Sequence, residues 1–413
     1  MMRILSFAEA QSLLVRKAAR LDEAERAVAP ILADVRARGD AALREYAARF
    51  DGFSGASFAV PPAECAAALA EMPPAFLAAV DVAARNIAEY AAAQLPVSTL
   101  REYPGGRRLG QIVRPLDSMG AYVPAGRYPL PSTLLMCVIP AQVAGVRKIC
   151  AVSPKPSAET LALAARLGVP QVFRLGGAHA IAALAYGTES VPRVERIVGP
   201  GNIYVAAAKK LAAGETGIDF VAGPTEILII AQEGNARWIA ADMLAQAEHD
   251  TDASAILLTT SRRLAEAVAA EIARQLDALP TAPVAREAIA RNSAIVVVDA
   301  LDQAVEFSNR LAPEHLALHE ADLLSRIDNA GSVFLGPGSP EAAGDYASGP
   351  NHVLPTAGAA RLRGGLSAAD FVKVISVQEL SPEGLRDLAP AITTLARAEG
   401  LEAHARSVEV RLE

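Results

Sequence analysis

The sequence predicts an α/β fold with parallel-rich sheets, and three observations predict it. From about residue 109, short β-rich runs alternate with helical stretches, the rhythm of strands joined by helices that cover both sheet faces. The runs are too numerous for one small sheet, so two α/β units are expected. Hydrophobic residues make up 52% of the 413 and charged residues 21%, a balance that favours packed cores over a disordered chain. Abundant alanine and few aromatics point to aliphatic layers and close-packed helices.

Before that rhythm begins, the chain reads as helical. Residues 24–50 carry Ala27, Ile31 and Val35 at helical spacing, interrupted near Gly39, after which Asp40 can cap a second helix. Pro73 and Pro74 open a further helix to about residue 95, with Pro74 suited to a first turn. Strands are then expected at 110–114, 121–124, 148–153, 171–175 and 196–198, with helices such as 158–167 and 203–213 between them. Further strands are expected at 218–221, 226–231, 255–259, 294–298 and 332–335. The tail, 381–413, reads as helical with no strand after it, so its apolar side needs another domain or a partner chain. Pro/Gly clusters at 123–131, 199–201, 336–340 and 344–350 read as functional loops on that scaffold.

Charge and composition exclude several functions. Lys+Arg total 39 against Asp+Glu 46, a net charge of −7, so there is no electrostatic footprint for nucleic acid. The stretch 1–30 has neither the basic start nor the unbroken apolar run of a signal peptide, and Pro140 and Gln142 interrupt the longest apolar stretch, 133–146. No membrane association and a cytoplasmic location are expected. Cys65, Cys137 and Cys150 fit no zinc or redox spacing and read as buried reduced thiols.

Histidine is scarce, six residues in all, and its neighbours are informative. Gln246 and His249 are three apart in a probable helix and can converge on one ion; a solvated helix end is the plainer reading. Asp345 and His352 share the loop Gly344-Asp-Tyr-Ala-Ser-Gly-Pro-Asn-His352, where Asp345 is either an anionic ligand or a turn cap. Ala312-Pro-Glu-His-Leu316 sets Glu314 beside His315, a pair suited to two proton transfers if both border one cleft, and otherwise a surface helix end. Gly199-Pro-Gly-Asn202 ends a strand and opens a helix, a place where phosphate can meet free N–H groups, although no G-x-G-x-x-G fingerprint is present. His319 matches no such pattern and reads as structural or exposed; Trp238 reads as a packing residue.

Jointly these stretches closely resemble the histidinol dehydrogenase family. Gly199-Pro-Gly-Asn-Ile-Tyr-Val205, Ala222-Gly-Pro-Thr-Glu226, Gln246-Ala-Glu-His249, Ala312-Pro-Glu-His-Leu316, Gly344 through Pro355 and Ala398-Glu-Gly-Leu-Glu-Ala-His404 follow one another in the family's order. The resemblance covers nearly the whole chain and is firmest from Met119 onward.

The resemblance implies two Rossmann-like α/β domains with a helical N-terminal segment (1–21) and a helical C-terminal tail (366–413). The first domain would be discontinuous, 22–121 and 225–365, and the second would span 122–224. It implies one Zn2+ per subunit held by Gln246, His249, Asp345 and His404, and a homodimer in which the tail brings His404 to the partner's site. Glu314 and His315 match the two catalytic bases. Thr225, Gln246, His249, His315, Asp345, Glu399 and His404 match substrate-contacting positions; Tyr122, His179 and Asn202 match positions that contact NAD. The implied reaction is L-histidinol to L-histidine through the aldehyde, with two NAD consumed, at the end of histidine biosynthesis. One departure stands out: Gly176-Gly-Ala-His179 where the family commonly reads Gly-Gly-Ala-Gln, which puts the cofactor contact at 179 in doubt. A paralogue oxidising another small amino alcohol or polyol is the nearest alternative, and a zinc hydrolase on an α/β scaffold is the alternative from another class.

Overall fold

The structure, a computed structural model, describes residues 2–14, 21–125 and 128–413. Residues 15–20 of the expected N-terminal segment and 126–127 of the 123–131 loop lie outside the described residues. The strands, in chain order, are β1 (Ile4–Ser6), β2 (Thr99–Tyr103), β3 (Arg107–Pro115), β4 (Ser118–Tyr122), β5 (Lys148–Val152), β6 (Gln171–Phe173), β7 (Arg196–Val198), β8 (Gly217–Ile218), β9 (Glu226–Ile230), β10 (Ser254–Thr259), β11 (Ala294–Val297), β12 (His315–Leu318), β13 (Ser332–Leu335) and β14 (Val372–Leu380).

Two parallel sheets organise the chain. One has the order β6-β5-β4-β7-β8 and the other β1-β11-β10-β9-β12-β13. Their central strands are apolar on both faces: β9 reads Glu-Ile-Leu-Ile-Ile and is buried throughout, as parallel strands between two helical layers must be. The crossover helices start where side chains satisfy their free N–H groups, with Asn202 capping Ile203–Ala212, Asn235 capping Ala236–Ala247 and Ser261 capping Arg262–Leu276. In each sheet the strand order reverses at one place, between β4 and β7 in the first and between β9 and β12 in the second. Such a reversal opens a crevice at the sheet edge.

The structure differs from the sequence-based expectation in several places. Residues 4–6 are an edge strand on β11, pairing Ile4 with Ile295, rather than part of a helical segment; three residues are too few for a period to register. The C-terminal segment holds β14, which pairs antiparallel with β3, while β2 lies on the other side of β3. These strands are largely solvent-facing and lack a clean apolar alternation. Helices from the stretch expected in the first domain lie against the 118–218 sheet instead. Val28, Leu32 and Val35 share a core with Leu184 and Val205, and Val80 and Ile87 share one with Leu134 and Met136. An amphipathic stripe announces that a helix must pack, but not on which sheet. Trp238 is 54% exposed on the outer face of its helix instead of packing.

The three cysteines are buried and free, as expected. Burial pushes the Cys150 thiol up to about 12 and raises Cys65 and Cys137 as well. Among the described residues no single helix is long and apolar enough to cross a membrane.

Candidate active site

The short connection from Ile218 to Glu226 joins the carboxyl edge of the first sheet to the amino edge of the second. Side chains bridge the same boundary: the Tyr128 hydroxyl reaches the Glu248 carbonyl at 3.4 Å, and Thr133 Oγ1 lies 3.5 Å from His352 Nε2. Both edges carry predicted site residues.

At the second sheet, Glu314 and His315 stand at the start of β12, and Thr225 and Glu226 at the start of β9. The two strands are neighbours in register, His315 opposite Ile227. This register brings residues far apart in sequence into contact. The helix Leu301–Leu311 ends on Ala312, whose φ of 51° is rare for a residue with a side chain, and this turn throws Pro313 and Glu314 into the strand start. Gly331 lies against that start: a Cβ there would sit 2.5 Å from the Glu314 carbonyl oxygen.

Glu314 is buried, and its Oε2 accepts from the Thr225 hydroxyl (2.6 Å) and the Glu226 N–H (2.8 Å). His315 is buried with Nδ1 3.2 Å from the Glu226 carbonyl oxygen and 3.5 Å from Glu314 Oε2. Its Nε2 points the other way, 3.4 Å from Asp345 Oδ1, and its ring stacks on Phe334. Burial alone would pull the imidazolium pKa down. The charge of Glu314, the bonds to Asp345 and Glu314 and the field of Glu341 outweigh it and hold it well above the ordinary value.

Asp345 comes from the helix Glu341–Tyr346. Burial works against its charge, but the bond from His315 and the fields of His315, His352 and His249 keep its carboxyl below the usual value. His352 donates from Nδ1 to the Asp345 carbonyl at 2.8 Å and so fixes the loop from behind. Gln246 is buried one helical turn before His249. Set with its nitrogen toward Glu341, its amide donates to both carboxylate oxygens (3.1 and 3.3 Å), and its oxygen accepts from the Glu226 N–H (2.9 Å). Reversed, that oxygen would face a carboxylate. His249 itself is exposed at the mouth of the cleft.

Sequence reading missed two members of this cluster. Glu341 is buried, and burial raises its carboxyl well above the usual range, with His315 opposing and Asp345, Asp242 and Glu314 adding to the rise. Asp242 is pushed up to about 6 by burial. The signal was available: Asp242 is four residues before Gln246 and Glu341 four before Asp345, so each shares a helix face with a predicted site residue.

At the first sheet, Tyr122 ends β4 and Gly199 follows β7, on either side of the strand-order reversal. Gly199 has φ +116°, and a Cβ there would meet the Tyr122 carbonyl oxygen at 2.2 Å, so only glycine lets the two strand ends close up. The Tyr122 hydroxyl accepts the Gly177 N–H at 3.1 Å, and Asn202 is exposed at its helix start. His179 is turned inward: Nε2 lies 2.9 Å from Asp51 Oδ2, and the ring rests beside Tyr46 and Phe50. Asp51 also accepts the Gly176 N–H at 2.9 Å. The ring's polar tip is therefore engaged by Asp51, a partner that the local motif gave no means of finding.

The predicted set is thus gathered in two groups. Thr225, Gln246, Glu314, His315 and Asp345 come together with His249 beside them, while Tyr122, at the end of β4, and Asn202, after the neighbouring β7, lie at the other edge. Glu399 and His404 are exposed on the tail, where the helices Pro382–Ala398 and Glu402–Glu409 pack on each other and the first of them also touches β14. Among the described residues no group of three or more His, Cys, Asp and Glu side chains is gathered as a metal centre. His319 is half-buried at the far end of β12 from His315 and outside this cluster.

A buried Glu-His pair at the edge of one α/β sheet, which a short connection joins to the edge of a second sheet carrying a strand-order reversal, defines a two-sheet α/β protein with side chains equipped for proton transfer. Residues 14–412 match the family model described as histidinol dehydrogenase. A histidinol dehydrogenase of Geobacter sulfurreducens is 48% identical over 98% of this chain and 97% of its own length. One from Bacillus cereus is 47% identical over 97% and 96%. The crystal structure of the Elizabethkingia anophelis histidinol dehydrogenase superposes with a TM-score of 0.94 at 37% identity, covering 100% of this chain and 98% of that one. The chain belongs to the histidinol dehydrogenase family, oxidoreductases of histidine biosynthesis.

Proposed function

We propose that this chain oxidises L-histidinol through histidinaldehyde to L-histidine, with two NAD+ reduced, and that it does so in the cytoplasm as a zinc-dependent homodimer. The observation that carries the reading is the buried Glu314–His315 pair, held at the start of β12 against the start of the neighbouring β9 in a chain of this family.

The residues present suit a zinc ion. His249, Asp345 and Gln246 offer an imidazole, a carboxylate and an amide oxygen, three of the four donors that zinc takes. The surrounding carboxylates Glu314, Glu341 and Asp242 favour a cation. Gln246 is the weakest member, since Glu226 and Glu341 already engage its amide. His404 would complete the set from the partner's tail, and the exposed Leu395, Leu401 and Val410 beside it favour a tail that docks on another chain. When bound, zinc would orient the amine and imidazole of the substrate. NAD+ would take the hydride in each half-reaction, held near Tyr122, Asn202 and the His179 region.

The chain's own groups divide the proton work. The Glu226 carbonyl accepts from Nδ1 of His315, so Nε2, on the Asp345 side, is the nitrogen that takes the hydroxyl proton of the alcohol when the ring is neutral, and the neighbouring carboxylates then hold the imidazolium that forms. The bonds from Thr225 and Glu226 both fall on Oε2 of Glu314, which leaves Oε1 to take a proton from water as that water adds to the aldehyde. Thr225 holds Glu314 in place and borders the same cleft. Glu399, on the tail, would reach the substrate together with His404.

If the tail completes the partner's site, His404→Ala and His249→Ala subunits are each inactive, and mixing them restores up to about a quarter of wild-type NADH formation from histidinol, the share of intact sites that random exchange generates. No recovery after demonstrated subunit exchange would rule out a shared site. A wild-type chain that prefers another amino alcohol by tenfold in kcat/KM, about 1.4 kcal/mol at the transition state, would replace the substrate named here.

A further inference from the structure

We propose that the buried ion pair Lys209–Asp219 is a positioning pair that presents the loop Gly199-Pro200-Gly201-Asn202 to the dinucleotide; the inference rests on the NAD reading above. Lys209 lies on the inward face of the helix Ile203–Ala212 and Asp219 just after β8, and both side chains are almost wholly removed from solvent. A buried charge pair of this kind is a poor source of net stability, because desolvation offsets most of the attraction. Its geometry points to another use.

The pair grips Gly199 at both polar groups. Asp219 Oδ2 accepts the Gly199 N–H at 2.8 Å, and the Lys209 ammonium donates to the Gly199 carbonyl oxygen at 3.0 Å. The third side of Gly199 is closed by the Tyr122 backbone, as its missing Cβ requires. Three constraints on one residue fix the direction in which Pro200, Gly201 and Asn202 leave the sheet edge. The Gly199 N–H and carbonyl are both spent in this grip, so they aim the loop instead of binding the ligand.

Asp219 is held in turn. Its Oδ1 accepts the Phe220 N–H at 2.7 Å, and its carbonyl accepts from Arg363 Nη1 at 2.7 Å. Arg363 is clamped by Asp370 through bonds of 2.7 and 2.8 Å. Asp219 also begins the connection that runs to Thr225 and the Glu314–His315 pair. The pair therefore ties the loop at the first sheet's edge to the connection that enters the second. Unlike the exposed Asn202, neither Lys209 nor Asp219 is accessible to a ligand, so they act through the loop.

The test is Lys209→Met, which keeps the length of the side chain and removes its charge. NAD+ and histidinol affinities are measured by equilibrium titration of the zinc-loaded protein, alongside steady-state kinetics. The Kd and KM for NAD+ are expected to rise about tenfold, with the Kd for histidinol, the zinc content and kcat at saturating NAD+ within twofold of wild type. If Lys209→Met does not fold, the neutral double variant Lys209→Met/Asp219→Asn, which leaves no unpaired buried charge, carries the same expectation. A folded variant with a lowered melting temperature but an NAD+ Kd within twofold of wild type would overturn the inference and leave the pair a packing feature. A wild-type protein that binds no NAD+ would instead remove the NAD reading, and with it this inference, before any variant is compared.

Discussion

Glutamine in place of Glu314 is expected to slow oxidation of the aldehyde by about 10²–10⁴-fold, the range for loss of a positioned general base, and to slow oxidation of the alcohol much less. The substitution changes almost nothing but the proton chemistry. The new amide oxygen can take the place of Oε2 and keep the bonds from the Thr225 hydroxyl and the Glu226 N–H. The NH2 then stands where Oε1 was and accepts no proton from water. His315 loses a neighbouring negative charge that favours its protonated form: more of it stands neutral while each neutral ring is a weaker base, two effects that offset each other in alcohol oxidation. The check is NADH formation by the variant supplied with histidinol and, separately, with histidinaldehyde. Equal losses in the two half-reactions would show that the two side chains do not divide the work.

Alanine at His249 or at Asp345 is expected to strip most of the proposed zinc from the protein, weakening its binding at least tenfold, about 1.4 kcal/mol, and to abolish most activity. Each removes one of the two charged or imidazole donors that a single chain contributes, leaving an amide that is already hydrogen-bonded. The variants differ in a second respect. Asp345→Ala also releases His315 Nε2 from its 3.4 Å contact, whereas His249 is exposed and its loss leaves the buried cluster intact. Metal analysis after gel filtration decides the matter: wild-type zinc stoichiometry in both variants would remove these residues from the metal set.

The fold was legible wherever burial imposes a pattern on the sequence. β9, β10 and β11 are aliphatic runs between helices, and the sequence reading finds them close to their observed bounds. The elements it missed are those with little apolar pattern: β1, three residues long, and β2 and β14, which face solvent for much of their length. That 315–318 is not among the expected strands, and is read only as a strand or loop edge or a helix end, has a similar origin, because Glu314 and His315 interrupt the aliphatic signal with polar residues. Long-range placement was the other blind spot. The apolar stripe of Leu21–Arg38 was visible, but its seat on the helices Gly177–Tyr186 and Ile203–Ala212 was not.

The site shows the same division. Glu314, His315, Gln246, His249 and Asp345 were marked by local motifs, and the register of β9 against β12 sets Glu314 and His315 beside Thr225 and Glu226. Glu341 and Asp242 sit on the same helix faces as predicted residues but carry no motif of their own. Asp51 could not be found from the Gly176–His179 motif, because its link to His179 spans 128 positions. The position of the proposed catalytic pair also departs from the usual rule for open α/β sheets: it occupies the amino end of β12, beside that of β9, while the carboxyl ends of β4 and β7 supply the proposed cofactor edge. The two edges meet because only a short connection separates β8 from β9.

The central claim, that His249, Asp345 and their neighbours gather around one divalent cation on which turnover depends, is tested most directly by following metal content and NADH formation from histidinol on a single sample through chelation and zinc addition. The account predicts about one zinc per chain at the start, parallel loss of metal and activity, and recovery of both when zinc is restored. Undiminished NADH formation by protein stripped of divalent metal would contradict it.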